Sequence, residues 1–232
     1  KQVIMEFGVG AGHTLKKIKE LFPVGKTIVG FDSFEGLPEN WIPGSWGKGA
    51  FSQGGEIPKD ILGENVSIVK GLFSDTVPKF FDTTNFADVE LLLLHIDCDL
   101  YQSTKEVLGE ALAKTLKENR FFMSAEVPLF VAFDELIDYP TYEDYEIKAL
   151  FEFLKENLDQ DVTKVNLVIS GNKTVLVKSG DELIDILQKG QGVLNILPLA
   201  TVKEEVDSAI VQLRPLSETN VEPPEIQIET GS

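Results

Sequence analysis

A single cysteine, Cys98, stands in 232 residues. No disulfide can form within the chain, so the core is built without covalent staples, as suits a reducing compartment. Long apolar runs are missing too. The longest candidate, residues 89–96, is broken by Glu90 and His95 and stops at Asp97. That falls far short of the roughly 20 residues needed to cross a bilayer, and it reads as a buried strand. Basic residues are scarce: 21 Lys and Arg face 38 Asp and Glu, a formal charge of −17. Such a surface repels phosphate backbones and anionic lipid. Nucleic acid and membrane are therefore excluded as expected partners, and a small neutral or cationic substrate is favoured. No secretory signal pattern occupies the first residues, which with the lone cysteine points to a cytoplasmic protein. The first residue is Lys1 and a strand pattern begins at the second, so we expect N-terminal helices to precede this chain in a longer protein.

What is present is a soluble globular composition, 43% hydrophobic and 9% aromatic, long enough for one α/β domain. Short apolar runs alternate with amphipathic ones. Strands are expected at residues 3–5, 27–31, 66–69, 91–96 and 129–133. They are apolar almost throughout, as in a parallel sheet covered on both faces. Leu15, Ile18 and Phe22 mark a first helix, and Ile147, Leu150, Phe151 and Leu154 a later one. Ser103 to Glu106 has the form of a capping box opening a helix through Leu116. Residues 165–169 and 174–177 flank a Ser-Gly-Asn-Lys turn and read as an antiparallel hairpin. Beyond residue 180 the spacing predicts a helical extension over 180–213, with helices at 181–188 and 201–213 and a second capping box at Thr201 and Glu204. Residues 214–232, polar and holding Pro215, Pro223 and Pro224, read as a disordered tail.

Between the first strand and first helix runs Glu6-Phe7-Gly8-Val9-Gly10-Ala11-Gly12. Glycines there permit a tight turn and close approach of backbone to a ligand. Asp32 ends the second strand, where an acid can accept hydrogen bonds from ribose hydroxyls. This arrangement serves NAD as well as S-adenosylmethionine. The leading Glu6 and the G-x-G-x-G spacing favour the latter, since a pyrophosphate site wants its third glycine differently placed. His13 is expected to do no more than start the helix.

Carboxylates cluster after two other strands. His95-Ile96-Asp97-Cys98-Asp99 ends the fourth and Phe133-Asp134-Glu135 the fifth. Carboxyl ends of adjacent parallel strands line one crevice, so Asp97, Asp99, Asp134 and Glu135 should meet. So much buried negative charge asks for a cation. Oxygen ligands without a Cys or His cluster suit Mg²⁺ or another divalent ion. Cys98, alternating with the two aspartates, should point into the core. Residues 37–51, with Trp41 and Trp46, form either a lid over the crevice or a surface loop with anchored aromatics.

Four ordered blocks resemble the macrocin O-methyltransferase family. They are Gly30-Phe31-Asp32-Ser33-Phe34-Glu35-Gly36-Leu37-Pro38-Glu39-Asn40-Trp41, Gly71-Leu72-Phe73-Ser74-Asp75-Thr76, His95-Ile96-Asp97-Cys98-Asp99-Leu100-Tyr101-Gln102-Ser103-Thr104, and Phe133-Asp134-Glu135 with the Glu146 to Leu150 segment. The resemblance spans about residues 3–178 in order. It implies a Rossmann-like class I methyltransferase sheet over residues 1–179, mostly parallel, seven-stranded, with the antiparallel hairpin at its end and helices on both faces. It also implies methyl transfer from S-adenosylmethionine to a hydroxyl of a sugar or aromatic diol, assisted by Mg²⁺, in a possible homo-oligomer. By the same resemblance Asp97, Asp134 and Glu135 are metal ligands and Asp99 is the general base. Glu6, Gly8, Gly10, Asp32, Ser33, Asp75 and His95 are then cofactor-binding. The rivals are an NAD-dependent oxidoreductase or epimerase, for which no Tyr-Lys proton relay is found, and a non-catalytic adenosyl-binding domain.

Overall fold

The computed structural model describes residues 2–22, 25–120, 129–134, 140–158, 165–169, 175–177 and 209–215. Its centre is β1 (Gln2–Phe7), flanked by β2 (Lys26–Asp32) and β4 (Glu90–Ile96), with β3 (Val66–Lys70) beyond β2 and β5 (Leu129–Phe133) beyond β4. All these pairings are parallel. The chain leaves β1 for one side and returns to the other, so the carboxyl end of β1 is a topological switch point, where open α/β sheets bind ligands. The fold is Rossmann-like α/β.

Alternation along the strands sorts side chains into two cores. Met5, Phe7, Val29, Phe31, Leu94, Ile96, Val131 and Phe133 face one side. There they meet Val77 and Phe81 of α2 (Phe73–Thr83), Val107 of α3 (Tyr101–Val107) and Leu150 and Phe153 of α5 (Glu146–Leu158). Phe7 and Phe31 stack at 4.7 Å between ring centres, an arrangement worth about 0.5–1.5 kcal/mol beyond the area buried. On the other side Ile4 and Ile28 pack under Leu15 and Ile18 of α1 (His13–Leu21). Gly30 makes that approach possible: a Cβ there would lie 2.9 Å from Leu15 Cδ1 and 2.8 Å from Val9 Cγ2. Cys98 is buried in the first core, as its alternation predicts.

Three expectations need correction. The helix after β4 starts at Tyr101, not after Ser103, and Leu100 is its N-cap. No capping box forms: Thr104 sits a turn inside, its hydroxyl donating to Leu100 O at 2.9 Å, and Glu106 takes its hydrogen bond from Gln102. The helix then passes through a π turn (Leu108–Leu112) into α4 (Ala113–Glu118). Second, residues 209–213, expected to be helical, are part of strand β8 (Ala209–Pro215), which also takes in two residues of the expected tail. An Ala-Ile-Val run flanked by Leu213 suits a strand once the sheet offers partners on both sides. Third, among the described residues the sheet has eight strands, in the order β3-β2-β1-β4-β5-β8-β6-β7. The hairpin of β6 (Val165–Ile169) and β7 (Val175–Val177) forms at the end of the sheet, as expected, but β8 separates it from β5. The antiparallel neighbour of β5 is β8, and β6 pairs antiparallel with β8 in turn. Residues 180–208 and 216–232, with the other helical and disordered expectations, lie outside the described residues. Among the described residues no helix is long and apolar enough to cross a membrane.

Candidate functional site

The strand ends are held level by backbone bonds. Gly8 N donates to Phe31 O at 2.9 Å, Asp97 N to Phe7 O at 2.8 Å and Asp134 N to Ile96 O at 2.9 Å. Asp32, Gly8, Asp97 and Asp134 therefore stand side by side along the carboxyl edge of β2, β1, β4 and β5. One cavity of about 650 Å³ opens there, a size typical for small-molecule sites.

At one end lies the glycine bend. Gly8, Gly10 and Gly12 adopt φ of +94°, +49° and +76°, values that favour glycine. Asp32 ties the bend down: one carboxylate oxygen accepts from Val9 N at 2.8 Å and Gly10 N at 2.7 Å. Its other oxygen accepts from Phe34 N at 2.6 Å. Backbone amides that would cradle a pyrophosphate in a dinucleotide site are thus already engaged by a carboxylate. Asp32, Ser33, Gly8 and Gly10 all line the cavity, and His13 both starts α1 and lines it.

Other expected cofactor residues stand elsewhere. Glu6 and His95 are 1% exposed neighbours on paired strands, Oε1 of Glu6 lying 3.4 Å from Nδ1 of His95. They form a buried layer behind the bend and do not line the cavity. Burial pushes the Glu6 carboxyl up; His95 opposes this, and Asp134 and Asp32 add to it. Asp75 is exposed in the first turn of α2, while the neighbouring Ser74 lines the cavity. Tyr101, in the third of the resembling blocks, donates to Glu152 at 2.6 Å and does not line the cavity.

At the far end Asp97, Asp99 and Asp134 line the same cavity. Burial pushes the Asp97 carboxyl well above the usual range, and the charges of Asp134, Asp99, Glu146 and Glu6 push it further. Glu135, the expected third metal ligand, lies outside the described residues. Among the described residues no three Asp, Glu, His or Cys side chains are gathered closely enough to hold a cation. Asp134 and Asp97 repel one another, and positive charge nearby would relieve that repulsion.

One contributor was not legible as such. Glu146, the first residue of α5, is fully buried and reaches back to the turn after β4. An acid in a helix's first turn ordinarily reads as a dipole partner, so nothing in sequence separated it from that role. The loop singled out in the sequence over residues 37–51 forms one wall of the cavity through Leu37, Pro38, Glu39 and Phe51, with Gly36 and Gln53 beside them. Leu37 N donates to Ala50 O and Gly49 N to Leu37 O, while Trp41 packs with Leu37, Leu100 and Tyr145. It is both wall and anchored loop. Trp46 leans on Phe51 at 4.8 Å, each 45% exposed, giving the wall an aromatic outer edge.

The buried acids carry a pH signature. Glu6, Asp97 and Glu146 all have carboxyls raised above their ordinary values of 4.5, 3.8 and 4.5. The folded chain then holds more protons than the unfolded chain above those values, so stability falls as pH rises through the raised range. The melting temperature of the ligand-free protein should drop over the interval above about pH 4.5 as pH rises. A melting temperature flat or rising over this interval would remove the argument.

No family model matches the chain, and no curated protein does. Among solved structures it is similar to the apo form of CalS11, a TDP-rhamnose 3'-O-methyltransferase in calicheamicin biosynthesis. Identity there is 27%, covering 76% of this chain and 71% of that one, with a TM-score of 0.41. It is also similar to the O-methyltransferase NovP, at 21% identity, the same coverage of 76% and 71%, and a TM-score of 0.46.

Proposed function

We propose that this chain transfers the methyl group of S-adenosylmethionine to a hydroxyl of a small molecule. The observation that carries the reading is one cavity at the switch point, with a carboxylate-tied glycine bend at one end and Asp97, Asp99 and Asp134 at the other. Six carboxylates line it (Asp32, Glu39, Asp97, Asp99, Glu106 and Asp134), and among the described residues no lysine or arginine does. Such a lining suits a sulfonium cation and opposes a pyrophosphate. With the amides of Val9 and Gly10 already engaged and the antiparallel β8 beside β5, this favours S-adenosylmethionine over NAD. The same charge pattern favours a neutral or cationic acceptor over a phosphorylated or nucleotide-linked one.

Gly8, Gly10, Asp32 and Ser33 bind the donor's nucleoside end, with Glu6 and His95 supporting the bend from behind. Asp99 takes the acceptor's hydroxyl proton as the oxygen bonds to the methyl carbon. The carbon–sulfur bond breaks in the same step, leaving a neutral thioether. Holding oxygen and methyl in line is the larger contribution of the cavity walls. A divalent cation such as Mg²⁺, held by Asp97 and Asp134 with Glu135 as third ligand by resemblance, would lower the pKa of a bound hydroxyl. Two adjacent acceptor oxygens suit such an ion, which favours vicinal diols.

The test is calorimetry with S-adenosylhomocysteine, then mass-spectrometric detection of methyl transfer to a panel of diols, with and without EDTA. We expect binding, transfer, and loss of transfer in EDTA that Mg²⁺ restores. Transfer undiminished by EDTA would end the metal role. No binding at all would end the methyltransferase reading, and binding without transfer to any acceptor would favour a non-catalytic adenosyl-binding domain.

A further inference from the structure

We propose that Glu146 is a positioning residue, a buried strut that holds the turn after β4 in the one conformation that presents Asp97 and Asp99 to the cavity. Glu146 is fully buried. Its Oε1 accepts from Cys98 N at 2.9 Å and from Asp99 N at 3.1 Å, across 48 and 47 residues of chain. These are the two consecutive peptide groups between the carboxylates that matter. Asp99 itself has φ +60°, a left-handed conformation that is unfavourable for a non-glycine residue. Such a residue persists only where its surroundings over-determine it. Leu100 N donates to Cys98 O at 2.6 Å, closing the turn from within, and Glu146 closes it from outside.

The other oxygen of Glu146, Oε2, is buried with no hydrogen-bond partner among the described residues. A carboxyl kept in such a place costs stability. Asp99 and Asp134 lie close enough to raise its pKa further. A group whose surroundings disfavour it is retained here for the two amides it holds. Relaxation of the turn would swing Asp99 away from the acceptor's proton while leaving the glycine bend, fixed separately by Asp32, as it is.

The catalytic part of this inference rests on the reading of Asp99 as proton acceptor; the strut itself does not. The experiment compares Glu146→Ala and Glu146→Gln with the parent protein, since glutamine keeps an acceptor oxygen where Oε1 stands. In Glu146→Ala, kcat should fall on the order of 100-fold, with affinity for S-adenosylhomocysteine unchanged; Glu146→Gln should restore turnover. Independently of any activity, amide hydrogen exchange at Cys98 and Asp99 should quicken roughly 10–100-fold in Glu146→Ala and stay slow in Glu146→Gln. Unchanged exchange at both amides in Glu146→Ala would overturn the strut. Parental kcat in Glu146→Ala, or a glutamine variant as impaired as the alanine one, would overturn its catalytic consequence. Failure of the parent protein to bind S-adenosylhomocysteine would count against the methyltransferase reading and leave the exchange result to decide the strut.

Discussion

Gly8→Ala is expected to cost roughly 2–6 kcal/mol of stability and to abolish binding of S-adenosylhomocysteine. A Cβ at this position would lie 1.7 Å from the carbonyl oxygen of Asp97 and 2.7 Å from its carbonyl carbon. Those are backbone atoms, held by the bond from Asp97 N to Phe7 O, so no side-chain rotation relieves the clash. Overpacking of a tight site costs about 1–3 kcal/mol, and a positive φ of +94° adds about 1–3 kcal/mol for an L-residue. Gly10 is the internal control. Its φ is +49° and a Cβ there would meet nothing within 4 Å. Gly10→Ala should therefore fold with a loss of only about 1–2 kcal/mol, while its methyl is expected to weaken cofactor binding, since Gly10 lines the cavity. Thermal unfolding and calorimetry on both variants check the pair. Equal stability of the two would mean that β1 and β4 do not approach as described.

Asp99→Asn is expected to lower kcat about 10²–10⁴-fold with little change in melting temperature or in affinity for S-adenosylhomocysteine. Asparagine tolerates the left-handed conformation that residue 99 adopts, so the turn survives while the proton acceptor is lost. Residual turnover should regain rate as pH rises, because the acceptor hydroxyl must then lose its proton to solvent. Rate profiles against pH, measured at saturating donor, are the readout. Wild-type kcat in Asp99→Asn would transfer the base to another group.

Much of the architecture was legible along the chain. Five strands and both amphipathic helices follow from the spacing of apolar residues, because a strand or helix must turn its apolar face inward. That periodicity is local, and it survives folding unchanged. Cys98 illustrates it: period-two alternation with Asp97 and Asp99 put it in the core, and it is 4% exposed there. The tie from Asp32 to the glycine bend was half legible. Strand-end position marked Asp32 as a cavity residue, but its three backbone donors, at Val9, Gly10 and Phe34, arise from a turn geometry that no spacing rule encodes. The start of α3 was misread for a similar reason. Ser103 and Glu106 have the letters of a capping box, yet the left-handed Asp99 and the burial of Leu100 had already begun the helix.

By itself, then, the sequence determined the order of elements, the acidic strand ends and the glycine bend, since each is a property of neighbours along the chain. Tertiary structure decided which groups share a space. It inserted β8 between β5 and β6, where open edges on both sides outweighed a helical pattern. It also put Glu6 and His95 behind the bend instead of in the cavity. And it brought Glu146 onto the Cys98 and Asp99 amides from 47 residues away. Hydrogen bonds and charge interactions depend on distance through space, and only the packed sheet and its helices set those distances.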